Sequence, residues 1–219
     1  MYLWQEVTEM DKIEEFIISV DEIYAKIDND NWREMVVKNL DSDNKAIRYL
    51  GKYIVENGSV LGPDWAKNFR KFFFLWYDGE YKEYASIYYN ILVNYPDNYF
   101  VEQAMGEYYY KVKPKLLCAR EHFKKAEVLL PEISKPKVHL GLVYNALGDN
   151  EKAYRYFNEA YNYSDDEQIA VKEIQSQSLL NMGVILIQSD KRKEGRELVR
   201  KALKIRPDYE YAKQILRMS

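Results

Sequence analysis

The sequence predicts an all-α fold, a stack of antiparallel helical hairpins, and three observations predict it. Apolar residues recur every three to four positions along most of the chain, the period of a helix with one buried face. Glycine and proline are scarce, 9 and 6 of 219 residues, so long helices run uninterrupted. A pattern of small and large residues also returns at a nearly constant interval. Its clearest copy is residues 137–160, KVHLGLVYNALGDNEKAYRYFNEA. Leu140, Gly141 and Tyr144 share one face of a first helix. Gly148-Asp149-Asn150 ends it, because glycine suits the left-handed residue after a helix and Asp or Asn caps the next. Ala153, Phe157 and Ala160 then recur on a second helix. Small Gly141 and Ala153 permit close approach, while Tyr144 and Phe157 fill the space beside them.

Taken in order, Thr8 and Asp11 resemble a capping box, and Ile13, Phe16, Ile17, Val20, Ile23, Tyr24 and Ile27 form an apolar helical stripe. Asp28-Asn29-Asp30 leads into a second helix with Trp32, Met35, Val36 and Leu40. Asp41-Ser42-Asp43 leads into a third with Ala46, Ile47, Leu50, Ile54 and Val55, closed by Asn57-Gly58. Residues 30–57 have the spacing of a degenerate hairpin. Gly62-Pro63-Asp64 is a turn before a helix start. It divides an N-terminal helical segment, 1–60, from a hairpin array, 61–219.

Within the array the pattern occurs four times over roughly residues 63–207. Leu75, Asp78-Gly79, Tyr88, Ile91 and Pro96 make the first copy, with Phe72 in the glycine slot. Met105, Gly106, Tyr109, Ala119, Phe123, Ala126 and Pro131 make the second. Residues 137–160 are the third. Met182, Gly183, Leu186, Val199, Ala202 and Pro207 make the fourth, where Gly195 replaces an alanine. Successive glycine slots are 34, 35 and 42 residues apart. The extra residue fits the loop at Lys113-Pro114. The eight extra residues before Met182, opened by a Ser164/Glu167 capping box, read as about two added turns on a first helix. Tyr211, Ala212, Ile215 and Leu216 share one face of a terminal helix that caps the stack.

These residues resemble the tetratricopeptide repeat, whose pattern is W-x2-L-G-x2-Y, then A-x3-F, then often Pro. Lys137 stands in the Trp slot and Asp165 in the Pro slot of the third copy. The resemblance implies a right-handed superhelix with a concave groove lined by first helices. By helical phase that lining is Phe69, Arg70, Phe73 and Tyr77, then Gln103, Glu107, Tyr110 and Lys111, then His139, Leu142 and Asn145, then Leu180, Asn181 and Val184. The aromatics at 69–77 fit equally well as core against the N-terminal helices. The resemblance implies a groove for a peptide or partner helix, with apolar anchors and interleaved polar groups that set register. One branch of the family grips a chaperone's C-terminal carboxylate with Lys and Asn residues. Of those slots only Lys135 matches, and Glu107 would repel a carboxylate, so that clamp is not expected.

The composition narrows the function classes. The chain is 47% hydrophobic, enough for a continuous core, and its net charge of −3 gives no general attraction to nucleic acid or lipid. One Cys allows no internal disulfide and agrees with a reducing compartment. The N-terminus MYLWQEVTEMDK has no signal-peptide pattern, and the apolar run 72–77 is too short to span a membrane. A cytoplasmic location follows as the expectation. The 21 tyrosines are expected mostly in helix seams. Cys118 and His122 are one turn apart, but two ligands do not make a metal site. A packed thiol and a surface His are expected there. No Ser/His/Asp pattern, phosphate loop or HExxH occurs, so neither enzyme activity nor a cofactor is expected.

Charge is uneven. Residues 1–60 hold 13 Asp/Glu against 7 Lys/Arg, and residues 191–206 hold eight Lys/Arg against two Glu. Leu198, Val199, Ala202, Leu203 and Ile205 form the apolar side of the latter stretch. Arg192, Arg196, Arg200 and Lys204 then face outward on the convex side. The plain reading is a solubilising surface. The alternative is a docking face for a polyanion or nucleic acid, an acidic partner, or the acidic N-terminal region of a second copy. The leading expectation is non-catalytic protein–protein interaction through the groove.

Overall fold

The computed structural model describes residues 97–163 and 171–218, and these hold seven helices and no strand. The N-terminal segment, the first copy of the pattern with Phe69, Arg70, Phe73 and Tyr77, the Ser164/Glu167 capping box and Asp165 lie outside the described residues. The helices are α1 (Tyr99–Lys111), α2 (Leu116–Leu129), α3 (Lys135–Ala146), α4 (Asn150–Tyr163), α5 (Val171–Gln188), α6 (Arg192–Ile205) and α7 (Glu210–Met218). They pair as the hairpins α1/α2, α3/α4 and α5/α6. Each hairpin packs on the next through α2/α3 and α4/α5, and α7 packs on α6. One core runs through the stack, from Ala119 and Phe123 to Val199, Ala202 and Ala212.

Each hairpin closes on a glycine, and the three closures are not alike. The Phe157 ring from α4 lies on the backbone of α3, so a Cβ on Gly141 would sit 2.6 Å from that ring. Gly106 and the Phe123 ring repeat this contact between α1 and α2. In α5/α6 the corresponding residue is Val199, too small to fill the same gap. The two helices close up instead until backbone meets backbone. A Cβ on Gly195 would lie 2.5 Å from the Gly183 carbonyl oxygen, and one on Gly183 would lie 2.7 Å from the Gly195 oxygen. That is why glycine replaces alanine at 195.

The hairpin turns follow the same slots. Gly148 has φ +81°, and its N–H donates to Asn145 O while the Asp149 N–H donates to Tyr144 O. The Asp149 side chain caps α4 through the Lys152 N–H at 3.1 Å. Seven residues after Gly183, Asp190 occupies the same turn position with φ 64°, and Asp190 and Lys191 donate to Ile187 O and Leu186 O. Aspartate tolerates that conformation at a cost that glycine avoids. The α1/α2 turn carries its extra residue before Pro114, and there the Lys113 N–H donates to Tyr108 O and the Lys115 N–H to Tyr109 O.

Two departures from the repeat pattern have clear physical accounts. Lys137 is 6% exposed in the Trp slot. Its stem lies in the core, and its Nζ donates to Pro131 O at 2.6 Å and approaches Glu127 Oε1 at 3.8 Å. Burial lowers the Lys137 pKa, and Glu127, Glu159 and Glu132 oppose that shift. Helix α5 has 18 residues where α1 and α3 have 13 and 12. It begins twelve residues before its glycine, so part of the insertion is added helix. One expectation fails at the C-terminal end. Ala212 is buried against α6, but Tyr211 is 52% exposed, because it lies about 100° round the helix from Ala212.

Two substitutions should move stability in opposite directions. Gly195→Ala raises helix propensity by about 1 kcal/mol yet places a Cβ against the Gly183 carbonyl. The expected result is a lower denaturant midpoint; an unchanged or higher one would mean that this backbone contact is not close. Asp190→Gly relieves a left-handed non-glycine residue at an exposed turn. It should raise stability by about 0.5–1 kcal/mol, read as a higher midpoint at constant m-value.

Candidate functional site

The first helices α1, α3 and α5 lie side by side, with α3 touching both neighbours. The expected lining residues fall at two depths on this surface. Tyr110, Leu142, Asn145, Asn181 and Val184 are half-buried, and Lys111 is exposed. Gln103, Glu107 and Leu180 are buried, at 0%, 3% and 1% exposure, and His139 is at 9%. Glu107, which helical phase places in the lining, is therefore covered and not open at the surface. Leu180 belongs to the core cluster. Helical phase assigns all of these residues to one face, but it does not say how deeply that face is covered.

Glu107 is buried because its charge is compensated. Gln103 Nε2 lies 3.0 Å from Glu107 Oε1 and 3.0 Å from His139 Nδ1. Both amide hydrogens are used if the imidazole accepts at Nδ1 and carries its proton on Nε2, which lies 3.7 Å from Glu107 Oε1. The other tautomer would donate from Nδ1 to Lys135 O at 3.0 Å and leave one Gln103 hydrogen facing a donor. Lys111 Nζ lies 3.3 Å from Glu107 Oε2, and Lys135 Nζ lies 3.7 Å from Oε1. The His139 ring stacks on Phe123, with centroids 4.7 Å apart. Phe123 thus packs on both Gly106 and the imidazole. Lys135 joins this cluster although it was not expected among the lining residues. The signal for it was its place one turn before His139.

The electrostatics follow from burial and these neighbours. Burial alone would raise the Glu107 carboxyl. Lys135, His139, Lys111 and the Gln103 hydrogen bond outweigh it and hold the pKa at about 2. Burial lowers His139 to about 4, against the opposing pull of Glu107. At neutral pH the imidazole is therefore uncharged, and the two lysines carry the compensation. Burial also raises the Tyr110 phenol, partly offset by Lys111.

A second buried carboxylate lies between α1 and α2. Glu102, 2% exposed, accepts from His122 Nδ1 at 2.6 Å and lies 3.5 Å from Lys125 Nζ. The His122 ring stacks on Tyr109. The expectation of a packed thiol and a surface His is reversed here. Cys118 is exposed, while the His122 side chain is 19% exposed. Cys118 stands one position before the buried Ala119, so it turns away from the seam. Among the described residues no group of three His, Cys, Asp or Glu could hold a metal ion, and no helix is long and apolar enough to cross a membrane.

On α6, Gly195, Val199 and Ala202 are buried and Leu198, Leu203 and Ile205 half-buried. Arg192, Lys193, Arg200, Lys201 and Lys204 are exposed, and Arg196 is half-buried.

The polar cluster makes stability depend on pH. His139 has a folded pKa of about 4 against 6.5 for the free side chain. Between those values the unfolded chain binds a proton that the folded chain does not. Stability is thus complete above about pH 6.5 and falls as pH drops toward 4, at up to about 1.4 kcal/mol per unit. Glu107 adds stability above pH 4.5 that is lost as pH falls toward 2. Urea denaturation across pH 4–8 should show the first loss, and His139→Gln should remove it. A wild-type profile that is flat from pH 6.5 to 4.5 would contradict the buried neutral imidazole.

The tetratricopeptide-repeat model matches residues 135–167 and 176–209, the hairpins α3/α4 and α5/α6. The fold is similar to that in the crystal structure of MamA, at 19% identity and TM-score 0.51, over 64% of this chain and 76% of that one. It is also similar to the structure of MamA from residue 41 to the end, from Desulfovibrio magneticus RS-1. The identity there is 17% and the TM-score 0.53, over 75% of this chain and 97% of that one. No curated protein matches the sequence. The repeat is thus matched twice in tandem, over the hairpins α3/α4 and α5/α6, and the glycine-seated hairpins of the described residues have the all-α fold of tetratricopeptide-repeat structures.

Proposed function

We propose that the protein is a non-catalytic, cytoplasmic binding module that takes a peptide or partner helix on the joined surface of α1, α3 and α5. One observation carries this reading. Half-buried polar and apolar side chains, Tyr110, Leu142, Asn145, Asn181 and Val184, recur on three adjacent first helices above a buried, compensated polar cluster. Leu142 and Val184 supply apolar contact. Asn145 and Asn181 offer side-chain amides that can read main-chain groups of an extended segment. Asn181 already donates to Gln177 O at 2.8 Å, which orients its amide. The cluster beneath ties α1 to α3, so the surface is formed before a ligand arrives and less entropy is lost on binding. Glu107 and His139 act here as supports for the surface.

Asn145 and Asn181 are the positions to test, because Glu107 is buried and its removal would disturb the fold. A partner captured from the source cells supplies the ligand, and calorimetric titration supplies the affinity. The double variant Asn145→Ala plus Asn181→Ala should keep the thermal midpoint nearly unchanged, since partly exposed sites usually move stability within about 0.5 kcal/mol. It should weaken binding roughly tenfold or more. Equal affinity in parent and variant would remove this surface as the binding site.

A further inference from the structure

The outward face of α6 carries cations for which the fold has no use. At 100° per residue, Lys193, Arg200 and Lys204 point within about 40° of one another. They lie on the side opposite the buried Gly195, Val199 and Ala202. All three are exposed, and among the described residues none has an anionic partner. The charges beside them are only loosely held, Arg192 at 3.7 Å from Asp190 and Lys201 at 3.9 Å from Glu197. The resulting strip is about 16 Å long. Residues 191–206 carry a net +6.

The chain also contains the matching charge. Residues 1–60 carry a net −6, with acidic pairs at Glu14-Glu15 and Asp21-Glu22. Nucleic acid is the poorer fit. Helix α6 holds no aromatic residue on which a base could stack, and the whole chain is net negative. A membrane surface is also a poorer fit, because none of the exposed large hydrophobics is on α6.

We propose that the basic strip of α6 docks the acidic N-terminal region of a second copy, giving a head-to-tail association between protomers. Such contacts are heterologous, so each copy keeps one strip and one acidic region for further neighbours. Attraction between exposed charges is screened by salt, with a Debye length of about 10 Å at 0.1 M and 3 Å at 1 M. The association is therefore concentration-dependent at low salt and dissolves at high salt. This rests on surface charge and is independent of the groove.

Sedimentation velocity of the full chain tests it. The mean mass should rise with concentration at low salt and return to that of one protomer in 1 M salt. Lys193→Glu, Arg200→Glu and Lys204→Glu together should weaken association roughly tenfold or more, with unchanged helical circular dichroism, because all three sites are exposed. A chain carrying Glu14→Lys, Glu15→Lys and Glu22→Lys should behave likewise. An equimolar mixture of the two reversed chains should associate again. A chain that stays monomeric at every concentration would overturn the proposal. So would association that ignores salt, or reversed chains that fail to restore one another. Should the acidic-side variant not fold, the basic-strip variant alone decides: association equal to the parent's refutes the proposal. Tight binding of a homopolymeric RNA at 0.15 M salt, lost in the basic-strip variant, would assign the strip to nucleic acid and overturn it as well.

Discussion

The contact between a second-helix side chain and a first-helix glycine sets the geometry of each described hairpin. Phe123 on Gly106 and Phe157 on Gly141 hold two pairs of helices at the distance of a flat ring. Where Val199 replaces the ring, two backbones meet instead and a second glycine is required. Interiors are close-packed, so a smaller side chain is answered by a closer approach and not by a void. The hairpin spacing is thus set locally, one repeat at a time, as expected for a solenoid whose units touch only their neighbours.

The same seam determines what the open surface can be. Phe123 is core to α1/α2, and its ring also stacks on the His139 imidazole of the next hairpin. Gln103 then joins Glu107 of its own helix to His139 across 36 residues of sequence. A buried carboxylate left alone would be costly. With two lysines and an amide around it, it becomes a directional tie between hairpins. Hydrophobic burial fixes how close α1 and α3 lie, and this polar cluster adds a specific register.

The two candidate surfaces differ in physical kind. The first-helix surface is half-buried, mixed in polarity and supported from below, which suits shape-specific recognition. The α6 strip is exposed, single-signed and independent of the packing beneath it, which suits long-range attraction. Either surface could be altered with little effect on the other, because they lie on opposite members of the hairpins.

Within the described residues, the sequence by itself determined the helices, the hairpin pairing and the Gly148 turn. Each of these depends on periodicity or on turn chemistry within a few residues, so the local pattern contains the answer. Gly195 was visible only as a departure, and its reason needed the close approach of α5 and α6. The depth of Glu107 and Gln103, the role of Lys135, the pairing of Glu102 with His122 and the exposure of Cys118 were decided by tertiary structure alone. Helical phase gives a residue its direction. Its burial and its partners come from helices tens of residues away, and no local pattern records whether a carboxylate pointing that way will meet water or two lysines and an amide.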